Sequence, residues 1–213
     1  MEYYFPYWGP FLCQLKVEKE FVNILLDKGN ESRKKKLDAR SSLAAMIDDA
    51  YYYENYEEWF VPRFEKYVNI YINGVQKYRE NSFATPPISW ELYKLWINYQ
   101  KAYEYNPPHH HDGDLSFVIY LQVPDEIKKE NIQMRGIHNN IGPGMINFDY
   151  GVELPFSISK FEYLPEVGDL FIFPAWLQHH VFAFKSDVER ISVSGNLTFS
   201  YGKSSFDQRF KWT

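Results

Sequence analysis

The chain has one cysteine, Cys13, in 213 residues. A single thiol can neither close an internal disulfide nor build a thiolate metal site, so any metal has to rest on His, Asp or Glu. Cys13 itself reads as a small buried apolar residue. No apolar run approaches the roughly 18 residues of a membrane helix, and the start MEYYFPYWGP lacks the basic-then-apolar layout of a leader. The expectation is a soluble, cytoplasmic chain without a membrane partner. A formal net charge of -5 offers no broad electrostatic footprint for nucleic acid, and the basic run Arg33 to Lys36 reads as a solvated connector. Histidine is absent from the first 108 residues, so imidazole chemistry belongs to the second half. What the chain has in quantity is aromatic side chains, 19% of it, which argues against disorder and for a real core. One domain over 1–213 is expected, mainly helical cover over 1–85 and a β core carrying any site over 86–213.

Residues 16–29 place Val17, Phe21, Ile24 and Leu25 at helical spacing and end on Gly29, a C-cap signal. Residues 56–79 repeat Phe60, Phe64, Val68, Tyr71 and Val75, with Pro62 tolerable in a first turn, and predict a second, longer helix. After Pro86 and Pro87 the chain turns to short runs rich in Val, Ile, Phe, Tyr and Trp bounded by Gly, Pro, Asn and Asp. Strands are predicted near 89–100, 105–111, 115–123, 131–138, 145–151, 158–164, 168–173, 179–185 and 189–199. Helices first and closely spaced strands after them imply an α+β fold, an antiparallel sandwich or jelly roll with the N-terminal helices packed outside the sheet.

Period-two alternation puts Leu115, Phe117, Ile119 and Leu121 on one face of a strand and Ser116, Val118, Tyr120 and Gln122 on the other. Near the end of the chain Ile191, Val193 and Leu197 oppose Arg190, Ser192, Ser194 and Asn196. A polar row on one sheet face is ordinarily solvated. Two histidine clusters, His109-His110-His111 and His179-His180, change that expectation, because each adjoins a strand. His109 and His111 lie two apart in extended chain, so both imidazoles point to one side and can converge on one ion, with His179 as a third ligand from a distant strand. The same string contains His110-X-Asp112, which a one-residue slip would turn inward, and Asp114 is a further carboxylate near the turn. His180 competes with His179 in the same way, whereas His138 is assigned no function. Arg190 can clamp a carboxylate with two parallel hydrogen bonds, and Ser192 on the same face can add a third.

These segments resemble the Fe(II)- and 2-oxoglutarate-dependent dioxygenases with a cupin-like double-stranded β-helix. The resemblance rests on Trp96-Ile97-Asn98, NPPHHHDGDLSFVIYLQVP from Asn106 to Pro124, GDLFIFPAWLQHHV from Gly168 to Val181, and ERISVSGN from Glu189 to Asn196, in that order. More narrowly, the chain is similar to oxygenases encoded by tailed phages of marine cyanobacteria and their bacterial relatives. The resemblance implies His109, His111 and His179 on Fe(II), with Asp112 as an alternative carboxylate ligand. It also implies Arg190, Ser192, Tyr120 and Asn98 around 2-oxoglutarate, and O2 as co-reactant. The wider family has His-X-Asp or His-X-Glu where this chain reads His109-X-His111. The implied activity is decarboxylation of 2-oxoglutarate to succinate coupled to hydroxylation of a protein or small-molecule substrate, a protein residue such as proline first among them. A three-His cupin without 2-oxoglutarate and a non-enzymatic β-sandwich binding or virion protein are the rival readings.

Overall fold

A computed structural model describes residues 9–78, 87, 89–135 and 142–201. A short strand β1 (Cys13–Lys16) precedes helix α1 (Lys19–Lys35), strand β2 (Ala50–Tyr52) and two abutting helices, α2 (Tyr56–Trp59) and α3 (Val61–Tyr78). The remainder is β3 (Ser89–Gln100), β4 (Asn106–His109), β5 (Leu115–Gln122), helix α4 (Asp125–Arg135), β6 (Ile146–Asp149), β7 (Lys160–Tyr163), β8 (Asp169–Pro174), β9 (Gln178–Val181) and β10 (Arg190–Ser200). Among the described residues, ten strands make two antiparallel sheets, one of six in the order β1-β8-β5-β10-β3-β2 and one of four in the order β4-β9-β6-β7.

The alternation in β5 sorts its side chains between two separate cores. Leu115, Phe117, Ile119 and Leu121 join Leu95, Ile97 and Val193 of the six-stranded sheet with Phe21 and Leu25 of α1 and Phe64 and Val68 of α3. Phe117 sits at this junction, its ring centroid 5.6 Å from that of Phe60 and 4.3 Å from that of Phe64. The opposite residues, Val118 and Tyr120, pack with Phe171 and Phe173 of β8 against Ile146, Phe148 and Val181 of the four-stranded sheet. That second core lies between the sheets, and the polar row Arg190, Ser192, Ser194 shares its side of β10.

Several elements differ from the sequence expectations. The strand expected over 131–138 is instead helix through Arg135, and residues 136–138, His138 included, lie outside the described residues. Ile132 and Met134 mimic strand alternation, but Ile132 is 72% exposed while Ile127 and Asn131, four apart, are buried, which is helical spacing. Asp125 and Glu126 directly after Pro124 supply the acidic first turn that favours a helix start. The edge strands β1 and β2 carry too few residues to show a pattern. Helix α1 runs past Gly29 to a left-handed C-cap at Lys36, φ 55°.

Gly29 is a packing residue rather than a cap. A Cβ there would lie 2.3 Å from Cδ1 of Ile97, which is fully buried, and 3.0 Å from the Tyr99 hydroxyl. Overpacking of this kind costs about 1–3 kcal/mol, against roughly 1 kcal/mol gained when alanine replaces glycine in a helix. Gly29→Ala is therefore expected to bring none of the gain that helix propensity alone gives and to lower stability by up to about 2 kcal/mol in urea unfolding.

Candidate metal centre

Strand β9 lies between β4 and β6, with His179 directly opposite His109 on one side and Phe148 on the other. The chain beyond β4 is held by the β8–β9 turn, where His111 N–H donates to the Ala175 carbonyl at 2.8 Å and Ala175 N–H donates to the Asp114 carbonyl at 3.0 Å. This latch carries His111 back over the strand pair. The three rings form one cluster, with centroids 4.8 Å apart for His109 and His111, 4.3 Å for His109 and His179, and 5.0 Å for His111 and His179. One ligand atom from each lies within 4.8 Å of the others. Among the described residues, no other group of this kind brings three metal-capable side chains together.

The backbone sets the tautomers. His109 Nδ1 is 2.7 Å from the Pro107 carbonyl and His179 Nδ1 is 2.9 Å from the Leu177 carbonyl. A carbonyl only accepts, so Nδ1 carries the proton and Nε2 keeps the lone pair a metal needs. Burial, reinforced by the neighbouring imidazoles, holds His179 well below the ordinary histidine range and pushes His111 down to about 3; burial also lowers His109. All three are therefore neutral at pH 7, the form that ligates.

His110 and Asp112 are exposed and stand outside the cluster. Asp114 is committed elsewhere, its carboxylate accepting the Phe199 backbone N–H at 2.7 Å. His180 points to the other side of β9, where Nδ1 meets Asp149 at 3.1 Å. No described carboxylate shares the cluster, so a metal here would have an all-imidazole protein shell.

A cavity runs from the histidines to Arg190 and is walled by Trp96, Phe173, Ile146 and Val181. Arg190 is 3% exposed, and its Nη1 donates to the Gly144 carbonyl at 2.7 Å. Its Nε has no partner, no carboxylate pairs with it among the described residues, and its guanidinium carbon stands 5.4 Å from the Tyr120 ring centre. Burial lowers its pKa from the ordinary value, yet a guanidinium stays charged. The Tyr120 hydroxyl, pushed up to about 12 by burial, and Asn98 Oδ1 are likewise buried without partners, and Ser192 and Asn98 face each other across the β10–β3 ladder. A buried cation with donors around it and no anion fits a bound carboxylate. Asn106, which heads a sequence motif but was given no role, also lines the cavity with a buried, partnerless Oδ1. Its place three residues before His109 in the NPPHHHD string was the available signal. Ile47, from the irregular segment before β2, also lines the cavity and left no trace in the sequence pattern.

Residues 94–196 match the protein family described as "Putative 2OG-Fe(II) oxygenase". No curated protein matches the chain. Among solved structures, a Pseudomonas putida prolyl-4-hydroxylase is similar with a TM-score of 0.58 at 12% identity, covering 90% of this chain and 93% of that one. The viral collagen prolyl hydroxylase of Paramecium Bursaria Chlorella virus-1, in its 2OG complex, gives 0.56 at 13% identity over 91% and 98% of the two chains. A Trichoplax adhaerens prolyl hydroxylase, in complex with a hypoxia inducible factor peptide fragment, gives 0.52 at 9% identity over 95% and 87%. At these identities the likeness concerns the fold, a mixed helix and antiparallel sheet architecture. The matched segment supports the 2OG-Fe(II) oxygenase family, whose cofactors are Fe(II), 2-oxoglutarate and O2, and the three imidazoles fit the iron.

Proposed function

We propose that the protein is an Fe(II)- and 2-oxoglutarate-dependent dioxygenase that hydroxylates an unactivated C–H bond, with protein-bound proline as its first candidate substrate. The two sheets are read as a double-stranded β-helix with the helices as outer cover. His109, His111 and His179 would hold the iron; Arg190, Ser192, Tyr120 and Asn98 would hold 2-oxoglutarate. The observation that carries the proposal is Arg190, a buried cation without an acidic partner, in one cavity with three neutral imidazoles. Together, iron and oxo acid would supply the oxidation, O2 giving one oxygen to succinate as CO2 leaves and the other to the substrate as a hydroxyl group.

The protein's own work is binding, orientation and exclusion of water. The Arg190 fork takes the far carboxylate in two bonds, with the Ser192 and Tyr120 hydroxyls as further donors. Phe173, 4.7 Å from His179 between ring centroids, and the aliphatic walls keep bulk water from the cluster. Proline is carried from the fold likeness to prolyl hydroxylases and rests on that analogy alone. An all-imidazole shell also suits a cupin-type metalloenzyme without 2-oxoglutarate, a reading that leaves Arg190 with no ligand. Anaerobic Fe(II) and 2-oxoglutarate should together produce a metal-to-ligand charge-transfer band, followed on admission of O2 by succinate. Absence of the band with iron bound would favour the cupin, and absence of stoichiometric metal would remove the enzyme reading.

A further inference from the structure

Arg33 opens the basic run that ends at Lys36, but it behaves unlike the exposed lysines after it. Its Nη1 and Nη2 donate to Glu189 Oε1 and Oε2 at 3.2 and 3.0 Å, and Nη2 also donates to Asp49 at 2.7 Å. The guanidinium carbon sits 4.2 Å from the centre of the Tyr99 ring, and Tyr99 pairs with Ile191 in the β3–β10 ladder. The last turn of α1 is thus clamped to the residue immediately before Arg190. On the other side, Gln122 Nε2 donates to the Glu189 carbonyl at 2.7 Å.

This corner of the sheet is regular on one side only: the β10–β3 ladder keeps its register there, with Arg190 opposite Gln100 and Ser192 opposite Asn98. The pairing of β10 with β5 shifts register between Ile191 and Ser192, that is, between the two cosubstrate residues Arg190 and Ser192. A slip of one residue in a strand sends every side chain to the opposite face, so a contact that holds the residue before Arg190 steadies the irregular side of this strand end. Glu189 is also the carboxylate nearest in sequence to Arg190, and pairing between them would neutralise the cation that the cavity presents.

We propose that Arg33 is a positioning residue for the cosubstrate site: by holding Glu189 it fixes the entry of β10 so that Arg190 and Ser192 face the cavity, and it keeps the Glu189 carboxylate away from Arg190. The inference rests on the reading of Arg190 as the 2-oxoglutarate cation. It gives the isolated basic run a role in the site 156 residues further along the chain.

The test is anaerobic titration of the Fe(II) protein with 2-oxoglutarate, with Fe(II) affinity measured in parallel. Arg33→Met should weaken 2-oxoglutarate binding by about tenfold, the size of a coupling between contacting residues. Glu189→Gln should act in the same direction, and the double variant should be no worse than the weaker single, since both remove one link. Arg33→Lys should recover part of the loss. Lys101→Met, which removes the other cation on Asp49 (2.7 Å) and leaves Glu189 clamped, should bind as wild type does. Iron affinity should be unchanged throughout. Wild-type binding by Arg33→Met, while Arg190→Ala is impaired, would overturn the positioning role alone. Parallel loss of iron affinity would also overturn it, as a general packing defect. A wild-type protein that binds iron but no 2-oxoglutarate would overturn the cosubstrate reading and this inference with it.

Discussion

Arg190→Ala should weaken 2-oxoglutarate binding by roughly thirty-fold to several thousand-fold while leaving iron affinity almost unchanged. Truncating one partner of a buried charged pair costs on the order of 2–5 kcal/mol, and about 1.4 kcal/mol is tenfold in affinity. Had Arg190 been an exposed arginine paired with Glu189 or Asp187, its loss would have cost about 1 kcal/mol of stability or less. The structure excludes that arrangement, because Arg190 is 3% exposed and Glu189 is taken by Arg33. The ligand-free protein should tolerate the change well, since an unpaired buried charge opposes folding. The thermal upshift that 2-oxoglutarate gives the wild type should accordingly shrink in Arg190→Ala at the same ligand concentration. Arg190→Lys should recover little, because an ammonium offers a point charge in place of the two-bond fork. Ser192→Ala should cost about 0.5–3 kcal/mol of 2-oxoglutarate affinity. Unaltered 2-oxoglutarate binding by Arg190→Ala in anaerobic titrations would leave the three-His cupin as the better description.

His179→Ala should abolish tight Fe(II) binding and succinate formation, whereas His180→Ala should keep most of both. Adjacent strand residues face opposite ways, and here one ring joins the imidazole cluster while its neighbour meets Asp149 on the outer side. Loss of an outer-shell partner commonly weakens metal binding about 10- to 100-fold, and loss of one ligand among three should exceed that. Equilibrium dialysis with Fe(II) under argon measures both variants. Equal losses would mean that the side of β9 assigned to the metal is wrong.

The parts of this molecule legible in the sequence are those governed by a short period. Leu115 to Gln122 showed its two faces because the burial of Phe117 and Ile119 under the helices and of Val118 and Tyr120 between the sheets follows a strict alternation. The long α3 stripe was legible for the same reason, with Phe64 and Val68 fully buried, although the single helix expected over 56–79 breaks at the buried Phe60 between α2 and α3. The failures arise where a local signal had a non-local cause. Gly29 resembled a helix end, but it is small because Ile97 crosses α1 there. Ile132 and Met134 resembled a strand because the helix that carries them buries few apolar residues. Arg33 resembled one solvated charge among several, since nothing near it in sequence announces Glu189 or Asp49. Within the candidate site, the position of each imidazole relative to the others depends on the β4–β9 pairing and the Ala175 latch, and neither leaves a sequence mark.

The all-imidazole cluster has a consequence for how the site fills. Three uncharged ligands give a divalent ion coordination but no countercharge, and Arg190, in the same cavity, adds positive potential. On the proposed reading, the first negative charge to reach the ion would arrive with the oxo acid, a dianion that Arg190 would hold by its far carboxylate. Each of the two guests relieves the main electrostatic cost of the other. Their affinities would then rise together, by one common factor in either order of addition. A protein filled in this way would hold its metal loosely when the oxo acid is scarce and firmly when it is plentiful, so its loading would report the supply of both.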